Sequence, residues 1–94
     1  SKNQLIKDKI ITIGTINSSL IHPREIYHEA IKNLASSIII MHNHPSGDPT
    51  PSKEDLEVTN IIKQTGQILQ IKMLDHIIIG KNRYWSYVES QKHL

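Results

Sequence analysis

The 94-residue chain contains no cysteine and no phenylalanine, and tyrosine and tryptophan together supply only four residues. Without thiols there is no disulfide framework and no thiolate metal site, which confines any metal ligation to histidine and carboxylate side chains. The absence also suits a reducing, intracellular setting, so a cytoplasmic location is expected. No apolar run reaches the roughly 18 residues of a membrane span and no signal peptide is visible, so no membrane association is expected. Charge of one sign is lacking too: 11 basic residues against 9 acidic ones leave a formal net charge of +2 with the histidines neutral. That is a mixed surface, without the concentrated basic stripe of a dedicated DNA binder.

The hydrophobic 37% of the chain is mostly isoleucine, a composition that favours strands. A chain this short buries about 65% of its unfolded surface by general scaling, enough for one modest core, so residues 1–94 are read as one domain. Leu5 to Thr15, with Ile6, Ile10, Ile11 and Ile13, predicts a strand pair or one long irregular strand. Pro23 stands at the first position of a helix expected to run to about Ser36, with Ile26, Ala30, Ile31 and Leu34 along one stripe. Ser37 to Met41 reads as a buried strand, and a second helix is expected from Lys53 to about Gln64, with Gly66 breaking the pattern. Ile68–Leu74 and His76–Gly80 predict two further strands ahead of Arg83-Tyr84-Trp85-Ser86-Tyr87. The expected fold class is α/β, a mixed sheet flanked by helices.

The chemistry is concentrated in His42-Asn43-His44-Pro45-Ser46-Gly47-Asp48-Pro49-Thr50-Pro51-Ser52-Lys53-Glu54-Asp55. In a strand, residues i and i+2 point to the same side, so His42 and His44 converge while Asn43 turns away. On a helix the same two side chains would diverge by about 200°. Three prolines and a glycine in the next seven residues exclude regular structure and fold the chain back through a stiff turn. Ser52 then precedes an apolar periodic segment with Asp55 three residues on, the pattern of a helix N-cap with an acidic N3 residue. Asp55 in the first turn can thus face the two histidines. Two imidazoles and a carboxylate leave one corner of a zinc tetrahedron open, as catalytic zinc sites require. Taken singly, the parts have plainer readings: the Ser/Asp pair as a cap, a His-x-His as surface residues, the proline segment as a loop. Their conjunction favours metal binding by His42, His44 and Asp55.

His-x-His, seven residues, Ser, two residues, Asp resembles the JAMM signature of MPN-domain metalloproteases, a fold of the cytidine-deaminase-like group. The wording His42-Asn-His-Pro-Ser-Gly-Asp-Pro-Thr-Pro-Ser52 is similar to the bacterial RadC family, whose label is DNA repair. Gly14-Thr15, Pro23-Arg24-Glu25-Ile26 and Leu74-Asp75-His76-Ile77-Ile78-Ile79-Gly80 agree with it, so the resemblance spans nearly the whole chain. It implies zinc on His42, His44 and Asp55, a catalytic Ser52 that steadies the oxyanion of a tetrahedral intermediate, and hydrolysis of an amide or isopeptide bond in a peptide or protein substrate. The same resemblance implies a general-base glutamate well upstream of the His-x-His. It places that residue before Ser1, so that the chain would be the C-terminal portion of the full domain without its first strand. Glu25 and Glu29, four apart on a helix, read as solvated surface acids.

Two features leave other functions open. Tyr84, Trp85 and Tyr87 near Lys81, Arg83 and Lys92 could stack single-stranded nucleic acid, though one aromatic segment closing a sheet more often packs its edge. Asp75-His76 reads as a pair behind a metal site or as a local hydrogen bond at a strand junction. The alternative to a zinc hydrolase is therefore a non-catalytic interaction or DNA-repair-associated module on the same fold.

Overall fold

The computed structural model describes residues 8–15 and 21–92, and the expected strand residues Leu5 and Ile6 lie outside them. Four strands form one sheet in sequence order: β1 (Ile10–Thr15), β2 (Ser37–Asn43), β3 (Lys72–Ile79) and β4 (Tyr84–Ser86). The first three are parallel and β4 returns antiparallel to β3, which makes the sheet mixed, as the sequence predicts. Parallel neighbours need long crossovers. These are α1 (Pro23–Lys32) between β1 and β2 and α2 (Lys53–Leu69) between β2 and β3, while a short α3 (Tyr87–Gln91) follows β4.

Both crossover helices pack on one face of the sheet. Ile26, Tyr27 and Ala30 of α1, Ile38 and Ile40 of β2, Ile62 of α2 and Met73 of β3 form a single buried cluster. Tyr27 ties the helices together by donating its hydroxyl to the Ile62 carbonyl at 2.6 Å, and burial raises that phenol to about 12. The other face carries Ile39, Met41 and Ile77, half-buried, with Ile10 and Ile79 exposed beside them.

Three sequence expectations change. α1 stops at Lys32, short of Ser36, because Leu34 takes a left-handed φ of 54° and the chain closes by Ala35 N–H to Ala30 C=O and Leu34 N–H to Ile31 C=O. That is a Schellman ending without glycine. α2 runs past Gly66 to Leu69 and also ends on a left-handed residue, Gln70 at φ 59°, but here Gln70 N–H and Ile71 N–H both donate to Gly66 C=O. Gly66 does not break the helix. It lets the helix approach its neighbours, since a Cβ there would stand 2.8 Å from the Tyr27 hydroxyl and closer still to the Ile71 carbonyl. Finally, Lys72 to Ile79 is one strand with an irregularity, not two strands. Ile38 pairs with Met73 and Ile39 with Asp75, so Leu74 is an extra residue in β3.

Candidate metal centre

The alternation of β2 puts Ile38, Ile40 and His42 on the helix-covered face, and His42 is 1% exposed. His44 sits one residue beyond the strand end, with its ring centroid 5.1 Å from that of His42. Its position is set by the loop around it. His44 N–H donates to Ile79 C=O, Gly47 N–H to His44 C=O, and Lys81 N–H to Gly47 C=O at 2.7 Å, which fastens the proline-rich turn to the β3–β4 connection. Gly80 must be glycine for this, because a Cβ would collide with the Gly47 carbonyl and with Pro49. The His44 ring is oriented by its Nδ1, 2.8 Å from the Asp48 carbonyl oxygen. A carbonyl only accepts, so Nδ1 carries a proton and Nε2 is the ring atom turned to the site.

Ser52 and Asp55 form the capping box the sequence predicts: Asp55 N–H donates to Ser52 Oγ at 3.0 Å and Ser52 N–H donates to Asp55 Oδ2 at 2.8 Å. The cap aims the carboxylate inward, and Asp55 is 4% exposed. Its Oδ1 lies 3.4 Å from His42 Nε2 and its Oδ2 3.1 Å from His44 Nε2. Burial alone would raise the Asp55 carboxyl, but hydrogen bonding from Ser52 and the adjacent His42 and His44 outweigh it and hold it below the usual carboxylate range. The Ser52 side chain is exposed beside this cluster. Its oxygen accepts from Asp55 N–H, so its own proton is available to an outside acceptor.

The residues fit a metal ion on their own chemistry. One ligand atom from each of His42, His44 and Asp55 lies within 4.8 Å of the other two. His42 Nε2 is a fully buried polar atom without a hydrogen-bond partner among the described residues, although it faces a carboxylate. A buried polar atom is ordinarily satisfied, and a cation between Nε2 and the carboxylate would satisfy both. Two nitrogens and one oxygen form the donor set of an open zinc site.

Directly behind His42 lies His76, fully buried, whose Nε2 is 3.0 Å from His42 Nδ1. Its own Nδ1 is 2.6 Å from Thr59 Oγ1 on α2. Burial, then the neighbouring His42, pushes His76 down to about 4, so it is neutral near neutrality. Burial also lowers His42. The Asp75 and His76 side chains are thus split across the sheet, while His76 N–H donates to Asp75 Oδ1 at 2.8 Å, the local hydrogen bond the sequence allows. Asp75 accepts from Ser86 Oγ at 2.6 Å and Val88 N–H at 3.0 Å, anchoring the C-terminal segment, while His76 enters the site. The extra residue Leu74 causes this: with strict alternation from buried Met73, Asp75 would face inward and His76 outward. Pattern reading cannot detect an inserted residue of this kind.

The remaining sequence candidates lie elsewhere. Glu25 and Glu29 are exposed on α1. Trp85 meets the His76 ring edge-on at 6.1 Å, Tyr87 lies under Lys63 Nζ at 4.9 Å, and Tyr84 donates its hydroxyl to Glu89. Each of the three aromatics has an intramolecular contact, and Tyr84 is exposed.

The chain resembles proteins of several bacteria over nearly all of its length. It is 60% identical over 89 residues to a UPF0758 protein of Clostridium tetani, matching 95% of this chain and 39% of the relative. Identity is 53% over 89 residues with a UPF0758 protein of Chlorobium chlorochromatii, covering 95% of the chain and 40% of the relative. A third, from Chlorobium phaeovibrioides, is 51% identical over 92 residues, 98% of the chain and 41% of the relative. The chain therefore spans about two fifths of the length of these relatives. A family model described as the RadC-like JAB domain matches residues 1–93, and with it the His-x-His strand, the turn and the capped helix find a common origin: the chain belongs to the RadC-like JAB domain family.

Proposed function

We propose that the chain carries the metal-binding part of a zinc-dependent hydrolase acting on amide or isopeptide bonds, with His42, His44 and Asp55 as ligands. The observation that supports this best is the buried convergence of three ligand atoms around an otherwise partnerless His42 Nε2. Zinc in such a site supplies Lewis acidity toward a carbonyl and acidifies water. The chain's own contribution is placement. β2 and the stapled turn hold the two imidazoles, the cap of α2 holds the carboxylate, and the exposed Ser52 hydroxyl donates to the oxyanion that develops on the substrate carbonyl. The general base belongs, in this reading, to a part of the protein outside the described residues.

The test has two stages. The purified chain, dialysed and titrated with zinc against a chromophoric chelator, should take up about one ion. A stoichiometry unchanged by His42→Ala combined with His44→Ala would remove the ligand assignment. The full-length Clostridium tetani relative, loaded with zinc, should cleave members of a panel of peptides and isopeptides and lose that activity on chelation. A zinc-loaded relative inert on every substrate would support a non-catalytic module on this fold instead.

A further inference from the structure

The ligand set leaves one buried imidazole, one buried hydroxyl and one carbonyl unexplained, and their hydrogen bonds have a fixed direction. Thr59 Oγ1 lies 2.8 Å from the Asp55 carbonyl oxygen and 2.6 Å from His76 Nδ1. A threonine hydroxyl has one proton and a carbonyl can only accept, so that proton goes to Asp55. Thr59 must then accept from His76 Nδ1–H. A neutral imidazole carries a single ring proton, which leaves His76 Nε2 as a lone pair, and this accepts from His42 Nδ1–H across 3.0 Å. His42 Nε2 is left unprotonated, facing Asp55 Oδ1 at 3.4 Å. The chain of bonds starts at the Asp55 backbone and returns to the Asp55 side chain.

We infer that His76 and Thr59 are positioning residues of the metal centre: together they hold His42 in the tautomer whose Nε2 lone pair faces the ion. This rests on the zinc reading above. His44 is oriented separately, by the Asp48 carbonyl, so the two histidines depend on different supports and can be disturbed independently. If Thr59 turned its proton toward His76 the whole series would reverse, and His42 Nε2 would carry a hydrogen where the ion should bind. Outer partners of this kind are typically worth about 10- to 100-fold in metal affinity.

Zinc affinity should be measured by chelator competition for the wild-type chain and for Thr59→Val, Thr59→Ser and His76→Gln, together with urea unfolding of each metal-free protein. Thr59→Val and His76→Gln should weaken zinc by about 10- to 100-fold, and Thr59→Ser, which keeps the hydroxyl, should stay close to wild type. A long-range proton–nitrogen correlation spectrum of the zinc-loaded wild type needs no variant to fold: it should show His76 protonated at Nδ1 and His42 protonated at Nδ1. Wild-type zinc binding with an unaltered affinity in Thr59→Val, whatever its stability, would overturn the inference and leave the zinc reading intact. So would a spectrum with the proton on His76 Nε2. A wild type that binds no zinc would defeat the zinc reading instead, a result distinct from either.

Discussion

At the scale of single residues, Asp55 serves several partners at once. Its carboxylate closes a capping box and faces both histidines, and its backbone carbonyl accepts from Thr59. Ser52 shares only the cap, which allows the two roles to be separated. Ser52→Ala should cost roughly 0.5–2 kcal/mol in urea unfolding through the lost cap, with zinc still bound. Ser52→Asp should restore the cap while changing the group offered to a substrate carbonyl, so stability and turnover should part company in that variant. If Ser52→Ala instead abolished zinc uptake, the hydroxyl would have to act on the ligand set itself. Asp55→Asn should abolish zinc binding while keeping a neutral acceptor for the Ser52 N–H, checked by the same titration.

At the scale of elements, two devices position the site: the extra residue in β3 and the close approach of α2. Gly66 faces the Ile71 carbonyl and the Tyr27 hydroxyl with no room for a methyl group. Gly66→Ala should therefore destabilise the chain by roughly 1–3 kcal/mol, the usual cost of overpacking, and this outweighs the gain in helix propensity of about 1 kcal/mol. Gln70 has the opposite problem, a left-handed backbone carried by a residue with a Cβ. Gln70→Gly should relieve it and raise stability by up to about 1 kcal/mol, read as a higher urea midpoint with an unchanged slope. Both endings show why the sequence pattern does not mark these helix limits. Glycine marks most left-handed C-termini, but here Leu34 and Gln70 occupy those positions while the glycine sits inside the helix.

At the scale of the whole molecule, the buried histidines put stability under the control of protons, and zinc uptake at the proposed site should add to it. His76 is held at about 4 in the fold against 6.5 when exposed, so below pH 6.5 the unfolded chain takes up a proton that the folded chain refuses. The metal-free protein should lose stability as pH falls from 6.5 to about 4, by on the order of 3 kcal/mol from His76. His42, also lowered by burial, acts in the same direction. Asp55 has the carboxylate version of the effect: its contribution is present above 3.8 and is lost as the pH falls further. Urea unfolding across this range, on wild type and on His76→Gln, checks the window, since the variant should show a flatter profile. Zinc should oppose the loss near neutrality, adding about 2.7 kcal/mol at a free concentration of one hundred times Kd. A rise in thermal midpoint with zinc, absent in the Asp55→Asn protein, is the expected reading. No described helix is long and apolar enough to cross a membrane.

The sequence alone determined what depends on neighbours along the chain. Strand alternation brings His42 and His44 together, prolines stiffen the turn, and a serine three residues ahead of an aspartate makes a cap; each is a matter of local backbone geometry, legible from residue types and spacing. The α/β class and the mixed sheet follow from the order of such pieces. Tertiary structure decided what depends on residues far apart. His76 stands 34 positions from His42, and it meets that ring only because Leu74 shifts the register of β3 against β2. Thr59 looks like an ordinary helix residue until α2 is laid over the sheet. Gly66 reads as a helix breaker until Ile71 and Tyr27 close around it. Packing admits no signature in the local pattern, because the volume a side chain finds and the partner a buried donor finds are both supplied by other segments of the chain.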